Sequence, residues 1–284
     1  MFLNESAANS SAHLVVFKRA IPRHDSSMAA TAQVSWTQIR TLTSASIRSR
    51  YRNTWAGLLW VILSPVLMFS AQSYAFKTIM KIHFENYPLF LLIGLLPWIF
   101  MTQSLSMCTT LFASQARMLK SFPIHPLVLL LSVLIDNFVN FSISFVLILG
   151  ALLVFMNGAL PHNLWLLPIP LLSVFMATCG LTWIFATSQV FFYDLKFILD
   201  FVMSVAFFLT PIAYPVQFVG PEHMWIVDVN PFAILLAPIQ ALSGEILPDN
   251  YGFLLARSFL LAISLLAMAA LYWRSRRNMI YFRL

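Results

Sequence analysis

Polar and apolar positions in this chain of 284 residues segregate into long blocks. The sharpest boundary falls at Trp55. Before it stands Ile47-Arg48-Ser49-Arg50-Tyr51-Arg52-Asn53-Thr54, and after it an apolar run from Trp55-Ala56-Gly57-Leu58-Leu59-Trp60 to Phe76. A basic collar followed by about twenty apolar residues is how a cytoplasmic flank enters a bilayer. The pattern recurs, and it predicts spans over Trp55–Phe76, Pro88–Leu111, Leu127–Met156, Leu164–Phe192, Phe197–Val219 and Phe253–Trp273. The third is long enough to tilt or project from the bilayer, and Pro168 and Pro170 are candidate break points in the fourth.

The connections carry their own signals. Lys77, Lys81 and Glu85 follow the first span, and Asn157-Gly158 with Pro161 forms a short outer turn. Ala113–Pro126 returns to the cytoplasm with two helix-ending prolines, Pro123 and Pro126, and Tyr193-Asp194-Leu195-Lys196 is a short inner turn. Gly220–Gly252 contains four prolines around a short apolar run, Pro231–Ser243. That run is too short to span and too apolar for an ordinary loop, so a re-entrant or interfacial segment is expected. Upstream, Trp36, Ile39, Thr43 and Ile47 share one face of a helix over Val34–Tyr51 bordered by Arg40 and Arg50, the pattern of an amphipathic helix lying on the membrane surface. The expected fold is therefore all-α: a polytopic membrane protein with six transmembrane helices, an N-terminal interfacial helix and re-entrant segments between helices five and six.

Composition agrees. Hydrophobic residues are 60% and charged residues 10% of the chain, too little charge to cover a soluble domain of this length. The net charge of +7 by itself would suit a nucleic-acid partner, but its distribution is topological. Lys18, Arg19, Arg23, Arg40, Arg48, Arg50 and Arg52 precede the first span, Arg117, Lys120 and Lys196 lie in the inner connections, and Arg274, Arg276, Arg277 and Arg283 end the chain. Both termini read as cytoplasmic, which requires an even number of crossings, and attraction to anionic inner-leaflet lipid is the expected accompaniment. Three regions follow: a disordered cytoplasmic N-terminus over 1–33, rich in Ala, Ser and Asn, a transmembrane domain over 34–273, and a basic cytoplasmic tail over 274–284. Leu14–Phe17 is too short for a signal-peptide core, and Met28 is an alternative start.

Catalytic chemistry is hard to find. There is no phosphate-binding Gly-x-x-x-x-Gly-Lys-[Ser/Thr] loop, no His-Glu-x-x-His and no Gly-x-Ser-x-Gly. No catalytic residue, metal ligand or cofactor is assigned to the chain. Cys108 and Cys179, each inside an apolar segment, read as packing residues. Asp136, beside Asn137 and Asn140 in the third span, is the foremost intramembrane ionisable residue. A polar contact between helices, a pathway-lining position and a proton relay are all open to it. Asp200 and Arg257 are expected to snorkel or pair near their span ends. Aromatic residues, 15% of the chain, serve mostly as lipid-facing bulk and interfacial belt. Trp60, Trp98, Phe100, Trp183, Phe191, Phe192, Phe207, Phe208 and Tyr214 nevertheless recur through the spans, and aromatic faces can stack on the C–H surfaces of sugar rings.

Ile47–Ser64 with Pro65 closely resembles the start of the ABC-2 polysaccharide-export permeases, the membrane subunits that move O-antigen, capsule or teichoic-acid chains out of bacteria. The resemblance continues in order through Gly94-Leu95-Leu96-Pro97-Trp98, Leu119-Lys120-Ser121-Phe122-Pro123, the Phe192–Leu195 turn, Pro211-Ile212-Ala213-Tyr214-Pro215 and Asn230-Pro231-Phe232. It covers residues 34–284. It implies a homodimeric permease in the bacterial inner membrane, working with two copies of a separate ABC ATPase subunit that binds ATP and Mg2+. By the same resemblance, the loop Arg117-Met118-Leu119-Lys120-Ser121-Phe122-Pro123 contacts the ATPase, and aromatic side chains guide a lipid-linked polysaccharide between protomers. Arg48, Arg50 and Arg52 are suited to meet the phosphate of a lipid carrier or membrane headgroups, because arginine pairs with phosphate in a bidentate fork. Two other readings stay open: the same fold with another cargo (capsular polysaccharide, or a small lipid or drug), and a membrane enzyme acting on polyprenyl-linked sugars. The second would need carboxylates or histidines gathered at one membrane face, and Asp194 and Asp200 are isolated.

Overall fold

The computed structural model describes residues 36–51, 55–79, 86–121, 124–155 and 160–283. Among these there is helix and no strand. Helix α1 (Trp36–Tyr51) is followed by α2 (Trp55–Tyr74), which ends in a π-turn, and by α3 (Tyr87–Thr109). Two short helices, α4 (Leu111–Ser114) and α5 (Ala116–Ser121), lead to the 30-residue α6 (Pro126–Phe155). Then come α7 (Pro168–Gln189), α8 (Leu195–Leu209), α9 (Met224–Val229), α10 (Pro231–Gln240) and the 33-residue α11 (Tyr251–Arg283).

The core is organised around α3. Every residue from Leu89 to Trp98 is buried, and a helix that is apolar all the way round belongs inside a bundle. It is packed by α2, α6, α7, α8 and α10. Its entry is set by Asn86, which adopts the left-handed conformation (φ 57°) that Asn tolerates better than most residues; its carbonyl accepts from the N–H groups of Leu89 and Phe90. Helices α7 and α11 approach closely where Gly180 lets the two backbones meet at Leu265 and Leu266.

Pro65, Pro97 and Pro238 lie inside helices, but three other prolines start them. Pro126, Pro168 and Pro231 each occupy the first position of a helix, where the missing N–H has no partner to lose. Pro168 therefore opens α7 after a 3-10 turn at His162–Leu166, and the two candidate break points do not interrupt the helix.

Four helices among the described residues are long and apolar enough to cross a membrane: Tyr87–Thr109, Pro126–Val154, Pro168–Gln189 and Tyr251–Ile280. A fifth crossing arises if Pro221–Val229 and Pro231–Ser243, bent by 98° at Asn230, are counted together. The expected span Phe197–Val219 is not one helix. Helix α8 stops at Leu209, because Thr210 turns extended and Pro211 cannot continue a helical ladder. Its 15 residues reach about 22 Å at 1.5 Å per residue, short of a hydrocarbon core about 30 Å thick. At the other end, α11 does not stop at Trp273. It runs ten residues further to Arg283, with Ile280 fully buried, so the basic tail is a continuation of the last helix.

Helix α1 lies against the first half of α6. The Thr43 hydroxyl donates to the Ser132 carbonyl at 3.4 Å, and the Ser46 hydroxyl donates to the Asp136 carboxylate at 3.1 Å. Asp136 is thus fully buried with a hydrogen-bonded neighbour on another helix, a polar contact between helices. The expected apolar face of α1 is divided: Ile39 and Thr43 are buried, while Trp36 is 71% exposed.

Candidate functional site

Helix α5 carries most of the expected coupling loop. Leu119 is buried and anchors the helix to the core, while Arg117, Lys120 and Ser121 are exposed and Met118 is half-buried. One buried apolar residue in a short helix leaves its polar neighbours outward, since adjacent positions are about 100° apart around the axis. Ser114, Gln115, Arg117, Met118 and Ser121 line an open groove of about 460 Å³. Phe122 and Pro123 lie outside the described residues.

The loop is tied to the rest of this end of the helix bundle through Trp273, a residue the sequence reading used only as a span boundary. Its ring stands 6.0 Å from Phe112, 5.9 Å from His125 and 6.3 Å from Trp183. One side chain of α11 therefore touches the end of the α3–α4 segment, the start of α6 and the middle of α7. The available signal was its position at the inner end of an apolar run, where interfacial tryptophans gather.

His125 is shaped by the same contact. Its Nδ1 accepts the Leu127 N–H at 3.1 Å, capping the start of α6, and burial pushes its pKa below the ordinary value of 6.5. Neutral His125 contributes its full stability above that ordinary value, and the contribution is lost as pH falls through the lower folded-state value, because protonation turns the Nδ1 acceptor into a donor. The melting temperature of the purified protein is expected to fall as pH drops below 6.5. In His125→Asn that decline should flatten, since an amide oxygen can accept the same N–H without titrating; an unchanged slope in a thermal scan would contradict the assignment.

The expected aromatic positions fall into different environments. Trp98 and Phe100 are buried. Phe100 packs with Phe138, Phe141 and Phe175 at 5.5, 5.7 and 6.2 Å. Trp98 stands 5.2 Å from Phe232 and 6.0 Å from Phe207, whose own ring lies 5.4 Å from Phe208. Phe192 and Phe208 are exposed, and Trp183, Phe191, Phe207 and Tyr214 are intermediate. Phe191 lies under two cations of the α11 extension, Arg276 at 5.8 Å and Arg283 at 5.2 Å, a contact worth about 0.5–1 kcal/mol at an exposed site. Trp60, Arg48 and Arg50 lie in helices whose side chains at those positions are outside the described set, as is Arg52 altogether.

Three of the separated motifs converge on one seam. Gly94 leaves room for the Gln240 side chain, whose amide donates to the Pro211 carbonyl at 2.7 Å. The Tyr87 hydroxyl donates to the Ala213 carbonyl at 2.9 Å. Asn230 caps α10 by accepting the Phe232 N–H at 2.9 Å, and its amide donates to the Thr210 hydroxyl at 2.9 Å. Close by, the Arg257 guanidinium donates to the Asp228 carbonyl and pairs with its carboxylate at 3.7 Å. Gln240 is the key residue that sequence reasoning missed, since nothing local marks it. Gln240→Leu should cost about 1–3 kcal/mol by leaving the buried Pro211 carbonyl without its donor. A thermal or denaturant scan of the purified protein checks this.

Described residues that are helical without strands, with several apolar helices of membrane-crossing length, make this a polytopic membrane protein. It belongs to the ABC-2 type transporter family, whose description matches residues 37–242, and so it is a transmembrane subunit of a transporter and not its ATPase. It is similar to the O-antigen export system permease protein RfbA of Myxococcus xanthus, 30% identical over 241 residues that cover 84% of this chain and 91% of that protein. It is also similar to a Klebsiella pneumoniae protein of the same name, 28% identical over 231 residues, 80% of this chain and 88% of that one.

Proposed function

We propose that this chain is the permease subunit of an ATP-driven exporter that moves a lipid-linked, O-antigen-like polysaccharide across the bacterial inner membrane. The observation that carries the reading is the similarity to O-antigen export permeases along nearly their whole length. Two copies of the chain pair with two copies of an ABC ATPase, which binds the ATP and Mg2+. Both termini are cytoplasmic and the chain crosses the membrane six times. Helix α2 makes the first crossing, and α8 with the chain beyond it makes the fifth. The α9–α10 pair re-enters the membrane from the outer side and returns.

In this scheme α5 is the element that meets the ATPase. Its exposed cations, Arg117 and Lys120, face outward while Leu119 holds it to the bundle. Motion of the ATPase passes into the transmembrane helices through that anchor and through the Trp273 contacts. The apolar face of α8, with Phe201 and Phe208 exposed, together with Phe192 and Tyr214, supplies ring surface along which a sugar chain slides. Arg48, Arg50 and Arg52 meet the phosphate of the lipid carrier at the inner surface. Deleting the gene tests the whole reading. Polysaccharide should vanish from the surface of intact cells while lipid-linked polymer accumulates inside, seen by gel and by immunolabelling of intact and opened cells. An unchanged coat in cells without a redundant exporter would refute it.

A further inference from the structure

A cleft of about 240 Å³ opens between α2, α3 and α6. Its hydrogen-bonding walls are Ser64 from α2, Gln103 from α3, and Asn137, Asn140 and Ser144 from α6. Ser64, Asn137, Asn140 and Ser144 lie in the middle stretches of their helices and Gln103 in the last third of α3, within the depth at which hydrocarbon offers no partner to a polar group. Asn137 and Ser144 are more than nine-tenths buried, and Asn137 donates to Ser104 at 3.3 Å. Ser64 and Gln103 are exposed and lie on the open side. An apolar cleft at this depth would fill with lipid chains or stay dry. One walled by amides and hydroxyls calls for an occupant that hydrogen-bonds.

The lining also narrows what that occupant is. Among the described residues no Asp, Glu, Lys or Arg faces the cleft, so it is not made for phosphate, which is held by cationic forks. Phe100 and Phe141, whose centroids are 5.7 Å apart, add aromatic surface to the same lining. Neutral amides, hydroxyls and a ring face together suit one kind of ligand: a neutral ring bearing hydroxyls on its edge and C–H groups on its face. The volume is below the roughly 300–1,000 Å³ of sites for drug-sized molecules, which leaves room for one such ring and not for several.

We infer that this cleft is a subsite that holds a single neutral sugar ring of the cargo at mid-membrane depth, a proposal that rests on the export reading above. Gln103 and Asn140 bind ring hydroxyls, Ser64 and Ser144 supply further contacts, and Phe100 with Phe141 packs the C–H face. The subsite is a polar foothold within each protomer, distinct from the exposed ring surface of α8.

The test uses the full chain with its ATPase in cells lacking the native gene. Gln103→Leu removes an amide from the open side of the cleft, and Ser64→Trp fills it. Each should slow the appearance of surface polysaccharide about tenfold with normal protein in the membrane, the scale of a lost hydrogen-bonding contact made during transport. Leu147→Trp, on the exposed face of α6, should export normally. Full-rate export by both cleft variants overturns the subsite and leaves the export reading intact, whereas an unaltered coat in the deletion strain itself overturns both. Labelling of Gln103→Cys by a water-soluble maleimide reads occupancy directly, because Cys108 and Cys179 are buried. Reaction should proceed in cells making no polymer and drop about fivefold when polymer is trapped by an ATPase unable to hydrolyse ATP. Equal reaction in both states identifies a water-filled cleft, and no reaction in either identifies a lipid-filled one; both results overturn the proposal.

Discussion

Gly180→Leu is expected to abolish accumulation of folded protein. A Cβ at position 180 would stand 2.8 Å from the Leu265 carbonyl carbon and 2.9 Å from the Leu266 nitrogen. Those are backbone atoms of α11, which cannot swing aside as the end of a side chain would. Two helices that meet at a glycine gain dispersion contacts along their whole shared length, and that packing is what associates helices in lipid, where apolar burial adds no driving force. Even Gly180→Ala should cost about 1–3 kcal/mol, the range for overpacking a filled interface. Leu adds three further carbons to the same space. The check is the yield and melting temperature of detergent-solubilised protein, with Gly150→Ala as the control. Gly150 has nothing within 4 Å of an added Cβ, so there the change should be neutral or stabilising by up to about 1 kcal/mol through helix propensity. If Gly180→Leu behaves like that control, the close approach of α7 and α11 is wrong.

Replacing Lys120 and Phe122 together with alanine should cut export at least about tenfold while the ATPase still turns over and the permease still inserts, the pattern of a lost interaction made only during the coupled step. Lys120 is exposed, and substitutions at such positions usually change stability by no more than about 0.5 kcal/mol. Lys120→Ala alone should therefore leave the melting temperature in place. Leu119→Ala provides the contrast. Its side chain is 4% exposed, and emptying a buried leucine site costs about 2–5 kcal/mol, so it should lower both export and melting temperature. Export at the normal rate by the double variant would remove α5 from the coupling path. Measurement of ATPase activity beside export in the reconstituted complex separates the two effects.

Much of the helical layout was legible beforehand because a bilayer sets the length of what crosses it. The apolar blocks beginning near Pro88, Leu127 and Phe253 became α3, α6 and α11 with starts displaced by only a residue or two. The endings were harder. Helix α11 continues through Arg274, Arg276 and Arg277 because arginine is a good helix former and Ile280 still finds a buried site; charge marks where a helix leaves the hydrocarbon and not where the helix stops. The end of α8 at Leu209 was marked by Pro211, but the apolar residues on either side of that proline suggested a longer span.

The sequence by itself determined that the chain lives in a membrane, where several of its long helices begin, and which family it resembles, since these follow from composition, block length and the order of local motifs. Only the tertiary structure decided which apolar residues face one another. In water a hydrophobic stripe marks the inside of a protein, but in lipid both the core face and the outer face are apolar, so the pattern carries no such information. Trp98 and Phe208 look alike along the chain; one is 5% exposed and the other 74%. The same limit hid the meeting of Gly94, Pro211 and Gln240, and the polar cleft of Ser64, Gln103 and Asn140. Each gathers residues from helices far apart in the chain, and no periodicity within one helix records a contact made with another.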